Sequence, residues 1–193
     1  MEEGFVLWFT GLSGAGKSTV SRRVHATLEE RKIKLELLDG DEAREHLTKG
    51  LGFNHEDRVK NIRRIGYVAK LLSRNGVGVV SAFITPYNEM REYLRETVTN
   101  FIEVFVNCPL EVCEKRDVKG MYKKARAGEI ESFTGISDPY EPPQSPDIEL
   151  RTDNESVEES VQKVISYLET NGLIPPVPQD ACETVSQAIP QEE

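Results

Sequence analysis

Gly11-Leu12-Ser13-Gly14-Ala15-Gly16-Lys17-Ser18 carries the GxxxxGK[ST] spacing, after an apolar run and before an amphipathic pattern. Each residue type has a reason. Glycines let successive backbone N–H groups turn toward anionic oxygens, and a helix N-terminus behind them adds its positive end. Lys17 has the length to reach the outer phosphates, and Ser18 offers a hydroxyl to magnesium. Gly11, Ser13, Gly14, Ala15, Gly16, Lys17, Ser18 and Thr19 are the candidate ATP-binding residues, with Ser18 the candidate metal ligand. The bland alternative is a glycine-rich turn capped by serine.

A P-loop alone does not separate kinases from GTPases or motor ATPases. The chain has no NKxD for reading guanine, and its one DxxG match, Asp117 to Gly120, lies in a basic stretch far from a switch position. The apolar run ending Ala82-Phe83-Ile84-Thr85 lacks the acidic pair of a hydrolytic site. A small-molecule kinase is the class that remains.

A kinase needs an acceptor side. Asp39-Gly40-Asp41, with Arg44 one turn later, closes an apolar stretch and so faces the same cleft. Asp41 is placed to orient an acceptor hydroxyl, and full deprotonation is unnecessary because phosphoryl transfer depends mostly on positioning and charge neutralisation. A plain Asp-Gly turn is the competing reading. Arg58 and Asn61, three apart on a helical pattern, share a face on which the guanidinium could fork onto a phosphate or sulfate. Phe53 is either a core residue or a plate for stacking a base. Between Lys115 and Arg126 lie six cations and one acid, fit for closure over polyanions.

Strands must alternate with helices to bring these residues together. Apolar runs at 5–10, 33–38, 77–84 and 101–106 and a short one at 148–152 read as strands. Helical stripes fall at Asp57–Arg74, Tyr87–Thr97, Leu110–Ala125 and Ser156–Thr170, besides the helix after the P-loop. This is an α/β pattern: a three-layer P-loop kinase fold, with a mostly parallel five-stranded sheet, helices on both faces and ligands at the carboxyl ends of the strands. Residues 115–146, charged and rich in proline, read as a lid, within a single domain spanning 1–171. From 172 to 193 the composition predicts a flexible tail.

The chain has 193 residues, 38% of them hydrophobic, enough for one core. No apolar run approaches the ~20 residues that cross a bilayer, and Met1-Glu2-Glu3-Gly4 lacks a secretory signal's basic start, which predicts a cytoplasmic protein. A net charge of −9 argues against nucleic-acid or membrane partners. Cys108, Cys113 and Cys182 have neither zinc-site nor CxxC spacing and read as reduced thiols.

Taken in order, GLSGAGKST, LDGDEAR, GLGFNHEDRVKNIRR, ITPY, RDVKGMYKKARAGEIESFTGI and DPYEPP resemble the adenylylsulfate kinase family over about residues 4 to 170. The resemblance implies transfer of a phosphoryl group from MgATP to the ribose 3′-hydroxyl of adenosine 5′-phosphosulfate, giving 3′-phosphoadenosine 5′-phosphosulfate and ADP. It implies that Asp41 acts at that hydroxyl with Lys17 on the phosphates, and that Arg44, Arg58 and Asn61 bind the acceptor. Phe53 and Phe133 would sandwich its adenine, with Ile84, Lys119 and Ser132 completing the pocket. It further implies a homodimer and admits association with ATP sulfurylase.

One departure stands out. Many family members have serine where this chain has Thr85, whose methyl crowds the hydroxyl. Direct in-line transfer, with Thr85 as a substrate contact, is the expectation. Two alternatives share the P-loop: another small-molecule kinase, and an inactive nucleotide-binding subunit regulating ATP sulfurylase.

Overall fold

The computed structural model describes residues 3–176. At its centre β1 (Val6–Thr10) is buried at every position, and its side chains alternate between two faces. Leu7 and Phe9 join one apolar cluster, and Val6 and Trp8 join the other. The strand thus divides the core.

The remaining strands are β2 (Leu35–Asp39), β3 (Gly78–Ala82), β4 (Phe101–Val106) and β5 (Ile148–Leu150). They stand in the order β2-β3-β1-β4-β5, and every pairing is parallel. One face is covered by α1 (Lys17–Glu30), through Val20, Val24 and Leu28, and by α7 (Val157–Thr170), through Val161, Val164 and Leu168. The other is covered by α3 (His55–Ser73), through Ile62, Ile65 and Ala69, and by α4 (Asn88–Thr97), through Met90 and Leu94. These are the three layers that the alternation predicts.

Three details differ from the sequence reading. The dipeptide after β2 opens a short helix, α2 (Gly40–His46), whose N-cap Asp39 accepts a hydrogen bond from the Asp41 backbone. The single helix read over Leu110–Ala125 is two, α5 (Leu110–Arg116) and α6 (Met121–Arg126). The break has a local cause: Asp117 leaves helical geometry at φ 19° and ψ 48°, and its carboxylate accepts from the Tyr122 and Lys123 backbone N–H groups. Finally, Leu173 packs on the core and Ile174 is 4% exposed, so residues read as the start of a tail are docked. The rest of that segment, from 177, and Cys182 lie outside the described residues.

Cys108 and Cys113 are free and buried, and burial pushes the Cys113 thiol up to about 12. Such a thiol holds its proton and is a poor nucleophile.

Candidate active site

The P-loop runs from the end of β1 into α1, and two backbone positions explain its glycines. At Gly11, φ is 147° and an added Cβ would fall 2.5 Å from the Val106 carbonyl oxygen. Gly16 caps α1 in the left-handed region at φ 100°. Ala15 is fully buried, its N–H bonded to the Leu12 carbonyl at 3.2 Å, so Gly11 and Ala15 shape the loop from behind. Ser13, Gly14, Gly16, Lys17, Ser18 and Thr19 line the cleft.

Lys17 curls back on its own loop, its Nζ donating to the carbonyls of Gly11 at 2.9 Å and Leu12 at 2.7 Å. Burial pulls its ammonium down to about 8 from 10.5, with Lys119 adding a smaller push the same way. A buried cation whose partners are only carbonyls is poised to accept an anion.

The wall that carries the candidate acceptor residues is built by α2 and α3. Asp41, on the second residue of α2, has a side chain 81% exposed and accepts from Lys119 Nζ at 2.7 Å across the cleft. Arg44 donates to the Leu51 and Gly52 carbonyls and sets its guanidinium 4.1 Å above the Phe53 ring. Burial first, then the neighbouring Arg58, lowers the Arg44 pKa from its ordinary value. Phe53 itself is 52% exposed, unlike a core residue, which favours the plate over the packing role. Arg58 is buried and binds the carbonyls of Phe53 and Ser132, both at 2.6 Å. Asn61 is buried too, and its Oδ1 has no hydrogen-bond partner. Buried acceptors without a partner are rare, so this one is a candidate for a ligand's donor.

The segment read as a lid supplies the third wall. Tyr122 on α6 donates to the Ser13 carbonyl at 2.9 Å, tying this helix to the P-loop, and meets Phe133 edge-to-face at 5.0 Å. Ser132 takes a left-handed φ of 53°, and Phe133 after it is 9% exposed.

Ile84 and Thr85 close the wall at the end of β3. Thr85 has φ 47°, a conformation that costs a β-branched residue about 1–3 kcal/mol. Its hydroxyl is turned to Trp8, accepting from Nε1 at 2.8 Å, and the residue is 1% exposed. A hydroxyl so placed is badly situated to accept a phosphoryl group.

All of the candidate acceptor residues border one cleft of ≈ 670 Å³ with the P-loop. A second hollow of ≈ 610 Å³ behind residues 135–142 is lined by Leu12, Phe105 and Tyr140 among others, but by no lysine or arginine, so it does not suit a polyanion. Of the acids beside the main cleft, Asp39 and Asp117 cap helices and Glu155 pairs with Lys163, which leaves the lining cations facing few free carboxylates. On the far side of the P-loop Arg116, which the sequence reading counted only among the cations of the lid, donates to the Gly14 and Thr152 carbonyls, and Thr152, which that reading missed, donates to the Ala15 carbonyl. No local spacing marks Thr152, because its partners come from two other elements. No helix among the described residues is long and apolar enough to cross a membrane.

Residues 3–151 match the family model described as adenylylsulphate kinase. Among curated relatives, an adenylyl-sulfate kinase of Halothermothrix orenii is 61% identical over 173 residues, 90% of this chain and 94% of the relative. One of Rippkaea orientalis is 60% identical over the same length, 90% of this chain and 96% of the relative. Among solved structures, the APS kinase of Mycobacterium tuberculosis in complex with AMPPNP and APS superposes with a TM-score of 0.84 at 45% identity, covering 88% of this chain and 99% of that one. A sugar kinase of Janibacter at 18% identity and TM-score 0.61, covering 90% of this chain and 99% of that one, shares the fold alone. With a cradle for ATP and an acceptor wall meeting in one cleft, the chain belongs to the adenylylsulphate kinase family.

Proposed function

We propose that the chain transfers the γ-phosphoryl group of ATP to the ribose 3′-hydroxyl of adenosine 5′-phosphosulfate, giving 3′-phosphoadenosine 5′-phosphosulfate and ADP. The observation that carries this reading is that Asp41 and Lys17, from different strand ends, border the same cleft as Phe53 and Phe133. The 3′-oxygen bonds to the γ-phosphorus as the bond to the β,γ-bridging oxygen breaks. The hydroxyl proton passes to Asp41 and the leaving electron pair stays on ADP.

Lys17 leaves the Gly11 and Leu12 carbonyls for the phosphate oxygens, and Ser13, Gly14, Gly16, Ser18 and Thr19 hold the chain of phosphates, with Gly11 and Ala15 shaping the loop behind them. Arg44 and Arg58 match the phosphosulfate oxygens, which planar guanidinium groups bind in pairs. Asn61 offers its unpartnered Oδ1 to a donor on the acceptor. Phe53 and Phe133 hold the adenine, with Ile84, Thr85, Lys119 and Ser132 around it. The base of ATP lies on the far side of the P-loop, by Arg116 and Thr152.

Magnesium fits the residues present. No group of three carboxylate, histidine or cysteine side chains able to hold a metal occurs among the described residues, while Ser18 is exposed at the start of α1. One protein hydroxyl, with phosphates and water supplying the other positions, is the arrangement magnesium accepts. Held by Ser18, magnesium would supply charge neutralisation at the phosphate oxygens.

A cytoplasmic homodimer completes the proposal, with association to ATP sulfurylase compatible with it because one enzyme's product is the other's substrate. A relative from Sorangium cellulosum named "Probable bifunctional SAT/APS kinase 2", of whose length the chain spans 30%, supports that association. The assay is incubation with MgATP and adenosine 5′-phosphosulfate, followed by anion-exchange separation. Equimolar ADP and 3′-phosphoadenosine 5′-phosphosulfate are expected, reduced at least ~100-fold in Asp41→Ala and absent with adenosine 5′-monophosphate as acceptor. Tight binding of both nucleotides without product would replace the enzyme with a regulatory subunit.

A further inference from the structure

Arg91 has no place in the chemistry above and does not itself border the cleft, and it is 4% exposed. A buried guanidinium needs several acceptors, and this one has them on three elements. From α4 its Nη1 donates to the Thr85 carbonyl at 2.6 Å and its Nη2 to the Glu141 carbonyl at 2.5 Å, with Asn88 Oδ1 as a further close partner. Its Nε lies 3.0 Å from Glu103 Oε1 on β4, an ion contact outside hydrogen-bond geometry.

The two carbonyls matter because of what they join. Thr85 is the left-handed corner that follows Ile84 on the cleft wall. Glu141 ends the strap that returns from Phe133. Around Arg91 the same two segments are tied repeatedly. Glu141 N–H donates to the Pro86 carbonyl at 2.8 Å, and the Asn88 N–H donates to the Glu141 carboxylate at 2.6 Å. Tyr87 donates its hydroxyl to Asp138 at 2.7 Å, and the Tyr140 and Thr10 hydroxyls are 3.1 Å apart. Asp138 in turn lies 3.8 Å from Arg58 Nε. The strap is therefore fastened to the acceptor side of the cleft, and among the described residues Arg91 is the side chain that grips the backbone of both pieces at once.

We infer that Arg91 is a positioning residue for the acceptor nucleotide: by holding the Thr85 and Glu141 carbonyls together it fixes the distance between the Ile84–Thr85 corner and the Ser132–Phe133 end of the strap. This rests on the reading of that wall as the acceptor site. A purely structural Arg91 would support stability through Glu103 and leave substrate selectivity alone. The two roles separate because Arg95 shares Glu103, at 3.1 Å, but reaches neither carbonyl.

The test compares steady-state kinetics of wild type, Arg91→Lys and Arg95→Ala with both substrates varied. Lysine keeps a charge beside Glu103 but has no fork to span the two carbonyls. Arg91→Lys is expected to raise the KM for adenosine 5′-phosphosulfate at least tenfold while the KM for MgATP stays within twofold. Arg95→Ala is expected to lower the melting temperature with both KM values unchanged. Tyr87→Phe, which frees the strap at Asp138 without disturbing the buried cation, is expected to raise the acceptor KM in the same direction, so the idea stays open to refutation even where the Arg91 variant does not fold. Unchanged acceptor KM in a folded Arg91→Lys, or equal loss for both substrates, overturns the inference. A wild-type protein that makes no product overturns the functional reading instead.

Discussion

Lys17 and Asn61 are both buried and both incompletely served by the protein, and this is where a ligand's effect is measurable. Free Lys17 loses its proton near pH 8, whereas phosphates would hold it charged. Nucleotide binding is therefore expected to take up protons between about pH 8 and 10.5 and none through this residue below about pH 7. Calorimetry in buffers of different ionisation heat reads this directly, and Lys17→Met removes it. In the unfolded chain Lys17 keeps its proton to about 10.5, so across that window the unfolded state binds more protons and this residue's contribution to stability rises with pH. Asn61→Leu removes an unsatisfied buried acceptor. Its melting temperature is expected to stay level or rise, an effect of ~1 kcal/mol, while the acceptor KM rises roughly tenfold. Most of these residues are legible in the order of letters alone, because a P-loop or an Arg-x-x-Asn pair is a local pattern whose chemistry follows from its spacing. Arg91 and Thr152 are not, since their partners are carbonyls far away in the chain, and a carbonyl has no letter in a sequence.

Among the elements, α6 couples the lid segment to the phosphate cradle. Tyr122→Phe deletes its bond to the Ser13 carbonyl and leaves the ring against Phe133. One lost hydrogen bond of this kind is worth about 0.5–1.5 kcal/mol, or a few degrees of melting temperature in a chain of this size. Hydrogen exchange is expected to accelerate across 117–127, and the KM for ATP to rise severalfold. Exchange confined to other helices would show that the tie is incidental. Every strand is foreseen from its apolar run, with ends displaced by a few residues where β2 becomes a half-exposed edge. The helix expected over 110–125 fails for a physical reason: its stripe is continuous in letters, but Asp117 caps α6 instead of extending α5. The missed α2 has the same origin, since Asp39-Gly40-Asp41 is both a turn signal and an N-cap followed by a helix start.

For the whole molecule, the docking of Leu173 and Ile174 sets a boundary that composition placed earlier. A chain ending at Asn171 is expected to be less stable than one ending at Pro176 by about 2–4 kcal/mol, since it loses a buried isoleucine, a partly buried leucine and the bond from Arg31 to the Pro175 carbonyl at 2.5 Å. Chemical denaturation of the two forms checks this, and equal midpoints would mean that the segment lies on the core without holding it. Arg31 caps the end of α1 away from the P-loop, and fourteen residues of helix put it about 20 Å from the cradle. Gly4 enters on the same side, bonded to the Ser73 carbonyl at the far end of α3. Both ends of the described chain thus emerge beneath the sheet while the cleft opens above it. A fluorescent probe or a surface-linking group attached at Gly4 or at Pro176 would stand on the side of the sheet away from the mouth of the cleft.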